Sequence, residues 1–167
     1  MLLRRFGATV QIAVPAALGV GAVVAVVLGH TLPRTLDRVE EEKLAASRKI
    51  VEAGHALARA LVARAEAGEL PEAEAKRRAL AALEAVRYDE NEYVFVPDVH
   101  ARILMHPFAP ELVGTDASDI EDEDGVHLYA EMARVAREAG AGFVRYRWPR
   151  GGGVQPLPKV TYVKRLD

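Results

Sequence analysis

The chain has 167 residues, room for one domain of the usual ~100–150 residues plus an appendage. Its 22 basic and 24 acidic side chains leave no basic surplus of the kind a nucleic-acid partner selects. There is no cysteine, which removes disulfides and thiolate chemistry.

Phe6 to Leu32 contains no Asp, Glu, Lys or Arg. As a helix it would be about 40 Å long at roughly 1.5 Å per residue, and about 20 residues suffice to span a bilayer. A cleaved signal peptide has an apolar core of only about 7–15 residues and a small-x-small cleavage site. This run is longer, and "LGHTLPR" is a poor site. Arg4 and Arg5 precede the run, while Asp37, Glu40, Glu41 and Glu42 follow it. The basic end stays inside. Residues 1–33 are therefore expected to be a cytoplasmic tip and a transmembrane anchor in the inner (plasma) membrane. Everything from Arg34 onward would then face the periplasm or the exterior. Ala13, Ala17, Gly21, Ala25 and Gly29 form a small-residue stripe, the kind that lets two membrane helices approach and so predicts a homodimer. An Ala/Gly-rich composition also produces such stripes.

Residues 34 to about 67 follow a helical stripe of Leu44, Ser47, Val51, Gly54, Ala58, Leu61 and Ala65. Ser47, Gly54 and Ala58 suit close approach by another backbone. Gly68 ends this helix, and Pro71 with Glu72 and Glu74 fits the first turn of the next. The period then changes. "EYVFVPD" (92–98) and "ARILMHP" (101–107) read as a β-hairpin around a short turn. An acidic loop follows, and then a helix over "VHLYAEMARVAREAG", with Asp124 as its expected N-cap and Gly140 as its stop. Leu128, Met132, Val135 and Ala136 would form that helix's buried face. A last hairpin, "GFVRYRWPRGGGVQPLPKVTYVK", closes the chain. Strand alternation puts Val144, Tyr146 and Trp148 on one face and Phe143, Arg145 and Arg147 on the other; Lys159, Thr161 and Val163 alternate with Val160 and Tyr162. The order predicts an α+β domain with a small antiparallel sheet and flanking helices.

The hairpin mixes rings with cations. A sheet packed on helices accounts for some of the rings. A small anion pocket accounts for both together, with apolar walls and a cation with tyrosine hydroxyls to grip a carboxylate. A single strand Lys or Arg is ordinarily solvated. His106, before Pro107, is either a donor to a ligand anion or a cap on the loop. Tyr93 and Phe95 share a strand face, as core or as pocket wall. His55 on the long helix and His30 in the apolar run read as incidental.

Other chemistries fit poorly. With Gly125 at the sixth position of a calcium loop, Ile120 takes the first, where an oxygen ligand is required. That leaves a solvated acidic loop, with no metal or cofactor expected. Ser47 and Ser118 are the only serines, neither in a nucleophile motif, and no H-E-x-x-H zinc spacing occurs. No enzyme is expected.

Several linked motifs carry a family likeness: "LEAVRYDENEYVFVPDVHARILMHPFAPELVG", then "DGVHLYAEM", "GAGFVRYRWPR" and "PLPKVTYVK". In this order they resemble a single Cache domain of the type 2 subfamily, the sensor region of methyl-accepting chemotaxis proteins and some sensor histidine kinases. The likeness runs from Glu69 to the last residue. It implies 34–68 as the long N-terminal helix of a sensor domain and 69–167 as a ligand-binding domain with a PAS-like sheet. The ligand it implies is a small organic acid such as acetate, propionate or pyruvate. The expected contacts are Tyr93, Phe95, His106, Phe143, Tyr146, Trp148, Lys159 and Tyr162. Lys159 stands out because the family motif repeats a Lys just before Thr/Ser-Tyr. The function implied is extracytoplasmic sensing and transmembrane signalling as in a chemoreceptor. The alternatives are the sensor region of a histidine kinase, or an anchored interaction module without ligand. Two departures stand out. "PDVHAR" replaces an Asp-x-x-Gly-type turn, so that hairpin is expected to be looser. The family pattern also continues with a Trp-rich final strand, a second span and an output domain, so the expectation is a fragment or truncated frame whose sheet lacks its last strand.

Overall fold

The computed structural model describes residues 28–29, 32–88, 92–149 and 153–166. Most of the expected span, its small-residue stripe from Ala13 to Ala25 and His30 lie outside these. No helix among the described residues is long and apolar enough to cross a membrane. The chain divides into two units, 1–43 and 44–167, and the second carries every strand.

The elements are α1 (Leu32–Glu66), α2 (Glu72–Glu84), β1 (Arg87–Tyr88), β2 (Glu92–Tyr93), β3 (Val96–Pro97), β4 (Ile103–Met105), a 3-10 turn (Pro110–Leu112), α3 (Leu128–Ala139), β5 (Ala141–Pro149) and β6 (Pro156–Lys164). The strands form three antiparallel ladders, β1–β2, β3–β4 and β5–β6.

Helix α1 buries Ser47 and Ala58 on the expected stripe. Gly54 is there for space. A Cβ at this position would lie 2.7 Å from Leu83 Cδ2, so α2 approaches α1 closely at this point. Gly68 ends the helical run at φ +73, and Pro71 precedes α2 as its cap rather than entering its first turn. Helix α3 ends at Gly140, also at φ +73. Its buried face is Leu128, Tyr129, Met132, Ala133 and Ala136, while the expected Val135 is only half-buried. Leu128, Tyr129, Met132 and Ala133 join Ala101, Ile103, Ala117, Val144 and Tyr146 in one core, and Val135 packs against it. The helix lies tight on β5, since a Cβ on Gly142 would come within 2.8 Å of Val135 Cγ1.

Three local expectations are corrected. The run 92–98 is not one strand. Glu92–Tyr93 pairs back onto Arg87–Tyr88, and only Val96–Pro97 pairs with Ile103–Met105, with a register shift between Val96 and Pro97. Asp124 does not cap α3, whose N-cap position is His127 without a side-chain cap bond. Asp122 organises that loop instead. Its Oδ1 accepts from the backbone N–H of Asp124 and Val126, and its Oδ2 accepts from Arg147 N at 2.7 Å. Spent on backbone donors, this carboxylate is held below the usual range. No group of side chains suited to a metal occurs among the described residues.

The third correction is the turn at 98–102, which is firmly tied. Asp98 Oδ1 accepts from His100 N at 2.8 Å and Arg102 N at 2.9 Å. Ala101 takes the left-handed conformation there, at φ 65, with its methyl 1% exposed in the core. A non-glycine pays about 1–2 kcal/mol for that backbone. A β-branched side chain pays more and has no room. Ala101→Val is therefore expected to lower stability by roughly 2 kcal/mol or more in urea unfolding.

Candidate ligand-binding site

The β5–β6 register places Lys159 opposite Tyr146 and Thr161 opposite Val144, so these side chains share the inner face of the ribbon. The Tyr146 and Thr161 hydroxyls are 2.7 Å apart across it. Lys159 is buried, at 7% exposure, against the usual fate of a strand lysine. Two neighbouring residues on β2 accommodate its charge. The ammonium lies 4.1 Å from the centroid of the Tyr93 ring and 3.2 Å from Glu92 Oε2.

Around this cation the rings form a cage. Tyr93 stands edge-on to His106 at 5.2 Å and to Phe108 at 4.9 Å. Phe95 meets His106 at 5.3 Å and Tyr129 at 5.9 Å. Trp148 closes the ring of contacts, 6.3 Å from His106 and 6.0 Å from Tyr129. Short strands make this possible. The break between β2 and β3 lets Tyr93 and Phe95 lean toward β4's end, where His106 follows Met105.

A cavity of about 380 Å³ opens beside the cage. Tyr93, Phe95, Lys159 and Tyr162 line it, with Tyr88, Val51, Ala58 and Met132. Consecutive residues 93–99 and 161–166 line it too, so it meets both strand segments edge-on rather than through one face. His106, Tyr146 and Trp148 are not in its wall and belong to the cage behind it. Phe143 lies on the other face of the ribbon, against Tyr162 at 4.9 Å, where Arg48 sits over the Tyr162 ring at 5.6 Å. His55, read as incidental, lines the cavity, its Nε2 3.1 Å from Arg165 O.

The electrostatics follow from burial. His106 is 3% exposed, and desolvation followed by the nearby Lys159 charge lowers its pKa to about 4, with Glu111 pulling weakly the other way. Its Nδ1 accepts from Phe108 N at 3.3 Å, so the neutral ring carries its proton on Nε2 and is a donor. Burial pushes the Tyr93 phenol up to about 12 against a hydrogen bond from Trp148, and raises Tyr129 and Tyr146 as well. At neutral pH the Lys159–Glu92 pair thus sits among a neutral imidazole and protonated phenols.

The low His106 pKa has a consequence for stability. Between about pH 6.5 and about pH 4 the unfolded chain takes up a proton that the folded chain refuses. Stability is therefore expected to fall as pH drops through this window, by something on the order of 2 kcal/mol, and this contribution levels off below it. Urea titrations across the window should show that slope, and His106→Gln should flatten it.

The residues missed in the sequence are Glu92 and Tyr129. Glu92 sits in a strand too short for a period to show. Tyr129 sits at helical spacing with Met132 and Ala133, a signal that was present but that reads as core packing.

Comparison with known proteins settles the family. The model of the single Cache domain 2 family matches residues 39–167. The chain belongs to that family. Its Cache domain is 39% identical over 98 residues to the methyl-accepting chemotaxis protein McpP of Pseudomonas putida, covering 59% of this chain and 18% of that protein. It is 32% identical over 93 residues to the sensor histidine kinase MctS of Rhizobium johnstonii, covering 56% and 20% respectively. The chain thus spans a small part of the length of these curated relatives. A solved periplasmic sensor domain of a chemotaxis protein superimposes with a TM-score of 0.74 at 44% identity, over 77% of this chain and 89% of that one. A Cache chemosensory domain solved for the structural basis of carboxylic acid recognition gives 0.72 at 30% identity, over 77% and 87%. The Cache fold, with helices and antiparallel ladders, is therefore shared with sensors.

Proposed function

We propose that this Cache domain is the extracytoplasmic sensor of a chemoreceptor-like protein and binds a small monocarboxylate such as acetate, propionate or pyruvate. The observation that carries this reading is the buried Lys159 ammonium over the Tyr93 ring, at the edge of a cavity of about 380 Å³. A buried cation in an apolar cage suits one compact anion. A two- to four-carbon acid fills only the Lys159 end of the space. In this reading Lys159 holds the carboxylate, Tyr93 and Phe95 wall the site, and His106, Tyr146 and Trp148 back that wall. Tyr162 lines the cavity, and Phe143 packs against it from the other face of the ribbon. The site is a binding site, without catalysis.

Residues 1–33 anchor the module in the inner membrane with the sensor outside, and two copies pair through the anchor and α1. The signal leaves along that helix. A chemotaxis output accords with the McpP likeness, and a histidine-kinase output with that to MctS. The solved relative concerned with carboxylic acid recognition supports the ligand class. Thermal denaturation of the protein against a panel of C2–C4 acids tests it. A rise in melting temperature with at least one acid is expected; no shift across the panel contradicts the reading.

A further inference from the structure

Glu92 is the unexplained member of the site. It reaches Lys159 from the strand that also supplies the tyrosine floor under the ammonium, and the pair is withdrawn from water, with side-chain exposures of 6% for Lys159 and 18% for Glu92. A carboxylate is therefore already on the cation that the proposed ligand needs. An ammonium has three donors, but two carboxylates on one buried ammonium repel each other strongly. With His106 neutral and the phenols protonated, the rings around Lys159 supply no charge that relieves this, and the other cations of the cavity wall, Lys164 and Arg165, lie five and six residues further along the chain from Lys159.

Building on the binding site proposed above, we infer that Glu92 is an internal competitor that sets the pocket's affinity for acids. A ligand carboxylate enters by exchange, and Glu92 gives up Lys159 as it does so. The exchange conserves charge on both sides. Glu92 is well placed to yield, since among the described residues β2 pairs with β1 through the rungs Arg87↔Tyr93 and Tyr88↔Glu92. A ladder that short is a weak tether. A neutral ligand gains nothing by the exchange, because displacing Glu92 would strand a buried ammonium. Glu92 thus keeps the pocket closed to uncharged molecules and raises the acid concentration at which it fills.

The size of the effect follows from population arithmetic. If Lys159 is released by Glu92 for at most about a tenth of the time, the apparent dissociation constant is raised at least about tenfold over that of the open site. Removing the competitor should recover that factor.

The test is titration calorimetry of propionate and acetate into the whole chain, as wild type, Glu92→Gln and Glu92→Thr, with circular dichroism to verify folding. Both variants remove the charge, and Thr also suits a strand, so the test stands if one of them fails to fold. The expected result is binding about tenfold or more tighter in the folded variants than in wild type. Equal or weaker binding overturns the inference and makes Glu92 a residue that positions Lys159, while leaving the site intact. Absence of heat from wild type and variants alike overturns the binding reading beneath it as well.

Discussion

Replacing Lys159 by Ala is expected to remove acid binding and also to weaken the fold. A hydrogen bond to a charged group contributes about 1.5–3 kcal/mol. At about 1.4 kcal/mol per decade, its loss lowers affinity roughly 10–100-fold, enough to take a site that binds at about 0.1 mM out of reach of calorimetry. An exposed strand lysine would change stability by under about 0.5 kcal/mol. Lys159 is not exposed, and its removal takes the ammonium away from the Glu92 carboxylate, which is 18% exposed. Breaking a fully buried pair costs about 3–5 kcal/mol, and the partial access of water to Glu92 reduces this to about 2 kcal/mol. The double variant Lys159→Met with Glu92→Gln separates the two effects. It should recover most of the lost stability in urea unfolding, because no orphaned charge is left, and still not bind acid. Unchanged affinity in Lys159→Ala would return this residue to a structural role.

Tyr129→Ala is expected to be the most damaging single change to the cage. The side chain is 1% exposed and touches Phe95 and Trp148 edge-on. Truncating a buried aromatic to Ala costs about 3–5 kcal/mol through lost transfer energy and the cavity left behind. For a chain of this size that corresponds to a fall in melting temperature on the order of 10 °C. Tyr129→Phe keeps the ring contacts and should cost far less. If Tyr129→Ala melts close to wild type, the core around α3 is not packed as described.

Much of this was legible in the sequence, for identifiable reasons. Strands β5 and β6 are long enough for their period of two to be unambiguous, so the shared face of Val144, Tyr146 and Trp148 could be read directly. Gly54 and Gly140 marked a close approach and a helix stop, and the structure has both. Lys159 emerged only from the family motif, since nothing local distinguishes a buried strand lysine from a solvated one. What decides its burial is Glu92 and Tyr93, brought up from a distant strand. Such pairings are tertiary and leave no period. The same holds for β1, two residues that form a strand only because β2 turns back on them, and for His55, whose contact with Arg165 O joins α1 to the far end of the chain. Asp124 had the spacing of a cap, yet Asp122 is the carboxylate that reaches both the loop backbone and β5.

The central claim is that a small carboxylate binds at Lys159, and calorimetric titration of propionate, acetate and pyruvate into the wild-type chain addresses it most directly. The account predicts saturable heat with one site per chain for at least one of these acids, and its loss in the folded Lys159→Met, Glu92→Gln double variant. Heat that persists undiminished in that variant, or none in wild type with any of the three, would contradict it.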